Sequence, residues 1–512
     1  MRKFICVLLS AFLGFAVIFA AGCSSDIDDL EDLNADDINY SQYDESTEAT
    51  LKISITAYDT EEALINSVAE VFNEKYPNVT INIDRMSGTL TNTLVSYYNA
   101  EKANPGTMPD IWISTSFDML ALSEYDITLD LDEYLKAASN QTSPYTGEAY
   151  FDEEDYVEEY WVLGKNNFAD EQLLIPRSAD RVVMHTNVDI ISKAQTWVTS
   201  QGYTDADFLA GSVGQSQWIT DDYITDTSAA VDIESKLQNG WTWEDFLYLL
   251  YWCRQYYDSL GRTADAGDYL IDGYLSWEAN YNPIFTAMGV DYWDENGDFN
   301  TDTENWEEAL DMIKFLIDEG FSAPFTGGSA GFTSGEGVFL IHSQASSISI
   351  ESLSKTNAYQ NVTDMSEVYN VYTFPLIDYY DNPQIGSGVA GYSVYKNSSN
   401  RELAVLFLLD LISAEGQTAM ANAGINYPSI RVDMQDTDAP WAANYSEYNM
   451  EAYIWGLEYT CATDYFLEKP AKYASSIMSS VTTLIQNYCG GKSISTVLSD
   501  CAGDIEYYLE WT

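Results

Sequence analysis

Two periodicities of apolar residues alternate along the chain from residue 51 onward. Apolar and polar side chains alternate over 51–57, which predicts a half-buried β-strand. Apolar residues then recur at helical spacing over 63–76, and Pro77 ends this predicted helix. A strand, an amphipathic segment and a further strand follow at 79–83, 90–98 and 111–113. Strands that alternate with helices in this way predict a parallel sheet of the α/β class.

The middle of the chain repeats this alternation. An apolar strand is predicted over 181–184, and Thr242 begins a capped helix. A clear helical stripe covers 306–317 and stops at Gly320. Between these elements, residues 199–238 are rich in Ser, Thr, Asp and Gly and predict a long surface excursion.

Polar and aromatic residues directly follow two of the predicted strands. Tyr58 comes after the first strand, and Thr115 and Ser116 come after the third. In open α/β sheets, ligands bind outside the carboxyl ends of the strands. The sequence therefore predicts a binding edge that contains these three residues and Asp118.

The first residues of the chain carry a targeting signal. Two basic residues precede an apolar run over 4–19, and small residues then lead to Cys23, which is typical of a secretory signal peptide. This ending resembles the bacterial lipobox, in which the Cys is lipidated, although Ala20 stands where that motif usually has Leu. We predict a lipoprotein signal peptide over 1–22 and a lipid on Cys23. An ordinary cleaved signal or an uncleaved anchor helix is the alternative.

The segment that follows is strongly acidic. Residues 24–50 hold ten acidic side chains and no Lys or Arg, so a disordered tether is predicted over 23–50. The whole chain carries 22 Lys and Arg against 81 Asp and Glu, a net charge of −59. Such a charge repels nucleic acid and anionic lipid head groups, so neither is an expected partner.

The apolar content of the rest of the chain predicts a folded protein. Because no apolar stretch there is long enough to cross a bilayer, the predicted lipid is the only expected membrane attachment. Hydrophobic residues make up 46% of 512 residues, enough for two or three domains. After residue 22 no apolar stretch is long enough to cross a bilayer. The best candidate, at 403–409, is interrupted by Asp410 and predicts a buried helix.

Four cysteines remain once Cys6 and Cys23 are assigned to the N-terminal signal. They have no metal-ligand spacing, and we predict neither a metal nor a cofactor. In one interpretation Cys489 and Cys501 form a disulfide, since export permits it. In the other all four are buried thiols: Cys253, Cys461, Cys489 and Cys501.

Several short motifs occur in the order in which one family has them. Residues 71–77 read V-F-N-E-K-Y-P, residues 108–112 read M-P-D-I-W, and residues 131–135 read L-D-E-Y-L. Further matches lie at 175–180, 243–246, 391–394, 400–404 and 426–429. Together they resemble the family-1 extracellular solute-binding proteins, which bind sugars for ABC importers. The resemblance covers about residues 51–510.

The resemblance implies a two-lobe α/β fold of the type II periplasmic-binding-protein kind, with a hinge and a ligand cleft between the lobes. The first lobe would comprise 51–178 and 389–445, and the second 179–388 and 446–512. It also implies a monomer at the extracellular face of the membrane. This protein would capture a carbohydrate, an oligosaccharide being expected, by lobe closure and deliver it to an ABC permease without covalent chemistry.

The resemblance also points to ligand-binding residues in and near the second lobe. Trp277 and Glu278 fall where relatives have a stacking aromatic and a carboxylate, and Asp180 matches a carboxylate position. Sugars offer hydroxyl groups and flat C–H patches, which such side chains bind. Nearby, Arg177 is expected either to bind hydroxyls or to form a hinge ion pair. Ser387 and Tyr392 lie at the second hinge crossing.

The chain departs from the family motif at one place, and four competing functions stay open. Residues 342–347 read H-S-Q-A-S-S where the family has N-G-x-W, so an expected Trp is absent.

An enzyme is disfavoured because no nucleophile or metalloprotease motif occurs, although a glycosidase needs only two carboxylates. Asp294, Asn296 and Asp298 alternate as in a calcium-binding EF-hand loop, but Phe299 stands where that loop needs Gly. Asn296-Gly297 predicts a hairpin turn instead. The third function is binding of a cationic solute such as a polyamine, and the fourth is surface adhesion to a glycan.

Overall fold

The structure is a computed structural model that describes residues 34–123, 125–166, 169–272, 275–325, 327, 329–343, 353–425, 427–462 and 465–510. The predicted signal peptide and the lipidation site Cys23 lie outside these residues. The strands are β1 Ala49–Ile55, β2 Val79–Arg85, β3 Ile111–Thr115, β4 Lys165–Asn166, β5 Glu171–Gln172, β6 Ile175–Pro176, β7 Asp180–Asn187, β8 Ile271–Asp272, β9 Phe339–Ser343, β10 Tyr369–Thr373, β11 Ile385–Gly388, β12 Ala390–Val394 and β13 Thr460–Ala462.

The α-helices alternate with these strands. They are α1 Asp59–Lys75, α2 Leu90–Glu101, α3 Ser116–Ser123, α4 Asp132–Asn140, α5 Glu158–Trp161, α6 Val188–Gln201, α7 Asp205–Leu209, α8 Trp243–Ser259, α9 Glu278–Ala287, α10 Thr303–Asp318, α11 Arg401–Ile412, α12 Ala414–Asn422, α13 Pro440–Ala443, α14 Ala474–Cys489 and α15 Ile494–Glu510. The alternation from β1 to β3 confirms the predicted α/β order.

The first sheet has five strands in the order β2-β1-β3-β12-β6. β1 pairs in parallel with β2 and β3, and β12 pairs antiparallel with β3 and β6. Leu51, Ile53 and Ile55 of β1 are fully buried, as are Leu64 and Val68 of α1. The alternating strand and the amphipathic helix therefore share one core, as their sequence periods predict.

The second sheet has six strands. Its main path is β13-β11-β7-β9-β8, and β10 pairs with β7. β9 and β8 are parallel, so their carboxyl ends lie at the same edge, whereas β7 runs antiparallel to β9. Together with the first sheet this gives the two-lobe α/β fold with a hinge and an interlobe cleft. The exact division of the chain between the lobes stays a prediction.

Two short crossings join the sheets side by side. Residues 177–179 connect β6 to β7, and Val389 connects β11 to β12. The Arg177 N–H donates to the Ala390 carbonyl at 3.1 Å, so the two crossings are hydrogen-bonded to each other. These crossings form the hinge and lie at the base of the cleft.

The prediction of a disordered tether over 23–50 is wrong for residues 34–48, which we call the strap. Tyr40 of the strap is 0% exposed, and its hydroxyl donates to the Tyr134 carbonyl at 3.0 Å. Its N–H donates to the Gln141 side chain at 2.8 Å, and that side chain donates back to the Ile38 carbonyl. Buried apolar side chains and these bonds hold the strap on α4 despite its charge.

Other predicted elements agree with the structure. Thr242 caps α8 in a capping box with Asp245, and the stripe at 306–317 lies within α10. Residues 403–409 are buried in α11. In the described part of the chain no single helix is long and apolar enough to span a membrane, and only α11 and α12 together pass that test, bent by 65°. Cys489 and Cys501 are both unbridged thiols, so the structure does not form the Cys489–Cys501 disulfide.

Candidate functional site

The first-lobe edge of the cleft lies at the carboxyl ends of β1 and β3. Tyr58 directly precedes α1, makes no side-chain cap and is 70% exposed. Acidic residues occupy the first turn of α1, where they offset the partial positive charge of the helix terminus. Because the Tyr58 side chain is mostly exposed and caps no helix, its ring can contact a ligand at this edge.

A hydrogen-bonded group of side chains lies at the end of β3. The Thr115 hydroxyl donates to one Asp118 carboxylate oxygen at 2.8 Å, and Thr91 donates to the other at 2.6 Å. Ser116 is mostly buried. The structure therefore brings together the predicted residues Thr115, Ser116 and Asp118, and it adds Thr91 to them.

The second-lobe edge contains Trp277, Glu278 and His342. Trp277 is partly exposed and directly precedes α9, which Glu278 begins. Burial raises the pKa of Glu278 above its usual value, while the neighbouring Trp277 side chain favours the charged form of this carboxyl group. His342 lies near the end of β9, with its ring centroid 4.9 Å from that of Trp277.

Asp180 and Ser387 lie where β7 and β11 meet. Asp180 pairs with Gly388, and it is partly exposed at the start of β7. Ser387 is fully buried, and its hydroxyl donates weakly to the Asp180 carbonyl at 3.5 Å. Asp180 thus stays a candidate ligand contact, whereas Ser387 supports the backbone beneath it.

One continuous segment brings the two edges together. Gly388 pairs with Asp180 in the second sheet, and Ala390 pairs with Thr115 in the first. Val389 alone therefore separates the backbone positions that pair with Asp180 and Thr115. One candidate residue from each sheet, Asp180 and Thr115, thus lies at this crossing.

Arg177 and Tyr392 have a different role from the predicted ligand contact. Arg177 is buried, and its Nε lies 3.2 Å from a carboxylate oxygen of Glu61 on α1. The Tyr392 hydroxyl donates to the same carboxylate oxygen, and the Arg177 guanidinium lies 4.6 Å from the centroid of the Tyr427 ring. Burial alone would lower the pKa of Arg177, but the nearby Glu61 keeps it raised. We therefore assign both residues to the hinge, in agreement with the ion-pair alternative for Arg177.

Two residues of this region were absent from the predicted site. Glu61 lies in the acidic first turn of α1, where its sequence context is that of a solvated helix face. In the sequence, His342 is distinguished only by its place in the segment that departs from the family motif. Their contacts with Arg177 and Trp277 join positions that are far apart in the chain, and no local pattern reports such contacts.

Comparison with known proteins identifies the family. A family model described as bacterial extracellular solute-binding protein matches residues 67–448, about three quarters of the chain. The chain belongs to this family. No curated protein sequence matches this solute-binding protein at a significant level. The resemblance drawn from the sequence motifs is thereby confirmed.

Solved structures support the same fold for this solute-binding protein. The cyclic alpha-maltosyl-1,6-maltose binding protein from Arthrobacter globiformis has a TM-score of 0.63 at 14% identity, covering 91% of this chain and 100% of that one. The sugar-binding protein MalE from Xanthomonas citri gives 0.62 at 13%, covering 90% and 100%. The GacH receptor of Streptomyces glaucescens gives 0.60 at 14%, covering 91% and 100%. At these identities the likeness shows the fold.

Proposed function

We propose that this protein is the lipid-anchored, extracellular substrate-binding component of an ABC importer and that it binds a carbohydrate, expected to be an oligosaccharide. The observation that carries this proposal is the partly exposed Trp277 beside the Glu278 carboxyl group at the cleft edge. An aromatic face packs on the C–H patches of a sugar ring, and an adjacent carboxylate accepts hydrogen bonds from its hydroxyl groups. Several structural neighbours bear the names of sugar-binding proteins, which supports the same ligand class.

The two edges would contribute different contacts to the bound sugar. Tyr58 and Trp277 would stack on its rings from opposite lobes. Asp118 and Asp180 would accept hydrogen bonds from hydroxyl groups, and Thr115 holds Asp118 in position. Capture would proceed by hinge closure around the ligand, and the closed form would dock on the permease. The protein itself would perform no covalent chemistry.

The location follows from the N-terminal sequence and the family. The lipid on Cys23 would hold the mature protein, as a monomer, at the outer face of the cell membrane.

The test is a calorimetric titration of residues 24–512 with a panel of mono- and oligosaccharides that includes maltose and maltotriose, and with spermidine. The proposal expects saturable binding to one glycan series. Binding should weaken at least about fivefold in Trp277→Ala and in Tyr58→Ala, because a stacked ring contributes roughly 1 kcal/mol or more. Tyr380→Ala, a change at an exposed tyrosine away from the cleft, is the matched control.

The outcomes separate the competing functions. Binding of spermidine alone would replace the sugar by a cationic solute, for which Asp118, Asp180 and Glu278 would supply the counter-charges. A long polysaccharide is titrated as well, and its binding in the absence of binding to any short glycan would favour adhesion. Equal affinity of the Trp277→Ala and Tyr380→Ala variants would remove Trp277 from the site.

A further inference from the structure

Trp277 is held from two sides by residues of different elements. On one side it directly precedes Glu278, the first residue of α9. Its ring faces the His342 ring of β9 at a centroid separation of 4.9 Å and an angle of 32°. The position of the Trp277 ring therefore depends on His342 as much as on its own helix.

The hydrogen bond that orients His342 requires a neutral ring. The Ser343 N–H donates to His342 Nδ1 at 2.9 Å, so Nδ1 acts as an acceptor and the ring proton is assigned to Nε2. If Nδ1 were protonated, its N–H would face the Ser343 N–H, and this hydrogen bond would be lost. A charged His342 ring must therefore leave this orientation, and Trp277 then loses the face that it packs on.

The groups around His342 come from two elements. From β7, Asp180 favours the charged ring, and the fully buried His185 is a second imidazole nearby. From the residue just before α9 comes the Trp277 ring. Burial outweighs the attraction of Asp180 and lowers the pKa of His342 below its usual value of 6.5. At neutral pH the ring is thus in the form that the Ser343 hydrogen bond needs.

We propose that His342 is a positioning residue that sets the Trp277 ring for the ligand while neutral, and that its protonation in acid releases the ligand. The inference rests on the proposed function in one respect, namely that Trp277 contacts the ligand. A ligand that occupies the cleft shields His342 further from water, which disfavours the charged ring. By linkage, affinity then falls as the pH drops.

The protein offers a direct test without any ligand, because it has only two histidines. Selective carbon-13 labelling of histidine gives two ring signals, which His342→Gln assigns, and Trp277→Phe assigns the indole N–H signal of Trp277. In a titration of wild type between about pH 7.5 and about pH 4.5, the chemical shift of the Trp277 indole N–H should change with the same midpoint as the His342 ring signal. A Trp277 signal that stays constant while His342 titrates would overturn the proposal. So would a His342 ring that does not titrate above about pH 4.

Glu278 is a second titratable group next to Trp277, and Glu278→Gln removes its titration so that the effect of His342 is seen alone. This variant should keep the His342 midpoint in the Trp277 signal, whereas His342→Gln should lose it. With a glycan that binds at neutral pH, affinity should fall at least about threefold towards pH 5 in wild type and stay nearly constant in His342→Gln. A pH response of equal size in both proteins would overturn the role of His342. Failure of all glycans to bind, with the Trp277 signal coupled to His342, would contradict only the proposed sugar ligand.

Discussion

Arg177 and Glu61 form a buried ion pair, with 3.2 Å between the Arg177 Nε and a Glu61 carboxylate oxygen. Arg177 lies in the first crossing between the lobes, and Glu61 lies in the first turn of α1. Tyr392 of β12 donates to the same carboxylate oxygen, and the Gln417 side chain donates to the Arg177 carbonyl at 3.1 Å. The pair thus ties the hinge to the first lobe.

Loss of one partner of this pair should destabilise the protein strongly. Glu61→Gln or Arg177→Met leaves a buried group without its counter-charge, which costs about 3–5 kcal/mol. The double variant Glu61→Gln/Arg177→Met removes both charges and should cost less than the sum of the two single variants. Urea unfolding at neutral pH measures the free energies. Additive costs would show that the two side chains do not interact.

The strap should contribute measurably to stability. Tyr40→Phe removes the hydrogen bond to the Tyr134 carbonyl and should cost about 1 kcal/mol, whereas Tyr40→Ala also opens a cavity and should cost about 3–5 kcal/mol. Ser41→Ala, at the exposed neighbour, is the control and should stay within about 0.5 kcal/mol. Thermal unfolding tests the order, and limited proteolysis should cut residues 34–48 faster in Tyr40→Ala. Identical cleavage rates would mean that the strap is not docked in solution.

Two glycines of β11 should respond differently to alanine. A Cβ at Gly386 would lie 2.0 Å from the Ala279 carbonyl oxygen, so α9 and the adjoining Trp277 must move. Gly386→Ala should cost about 1–3 kcal/mol and weaken ligand binding. A Cβ at Gly388 meets nothing within 4 Å, so Gly388→Ala should be nearly neutral. Unfolding and titration of both variants check this contrast, which equal effects would contradict.

His185 should make the protein less stable in acid. It is fully buried, with Nδ1 2.6 Å from the Tyr369 hydroxyl and Nε2 3.2 Å from the Ser343 carbonyl, and burial lowers its pKa from 6.5 to about 3. Because the folded-state pKa is depressed, this contribution is complete above pH 6.5. It is lost as the pH falls towards about 3, at roughly 1.4 kcal/mol per pH unit.

The comparison with a neutral side chain isolates this effect from the many carboxyl groups. His185→Gln retains a donor and an acceptor but does not titrate, so its unfolding free energy should decline less between about pH 6.5 and about pH 4.5. His342→Gln, at the partly exposed histidine, is the control and should follow wild type more closely. Parallel pH profiles for wild type and His185→Gln would exclude His185 as the source of acid sensitivity.

Local patterns predicted most of the first sheet and several helices. The alternation in β1, the apolar spacing of α1 and the capping box at Thr242 are properties of neighbouring residues, and the structure retains them. The strap is the clearest failure. Its average composition is that of a disordered segment, yet Ile38 and Tyr40 are buried against residues about 100 positions away in the chain. A composition average cannot register such contacts.

In the candidate site, too, local patterns predicted some residues, whereas other contacts are seen only in the structure. Tyr58, Thr115 and Asp118 follow strand ends, and the geometry of parallel strands is enough to place them at one edge of the sheet. The choice between ligand contact and hinge for Arg177 was open in the sequence, and Glu61 decides it through an ion pair across 116 positions. The relation of His342 to Trp277 likewise requires β9 and the start of α9 to meet.

The sequence by itself determined the element order, the family and the strand ends that carry polar and aromatic side chains, because these depend on residues close together in the chain. Only the tertiary structure decided which side chains meet. It docked the strap on α4, joined Arg177 to Glu61 and set His342 against Trp277. The physical reason is that burial and pairing are properties of three-dimensional neighbours, and the free energy of a buried charge or ring is fixed by those neighbours.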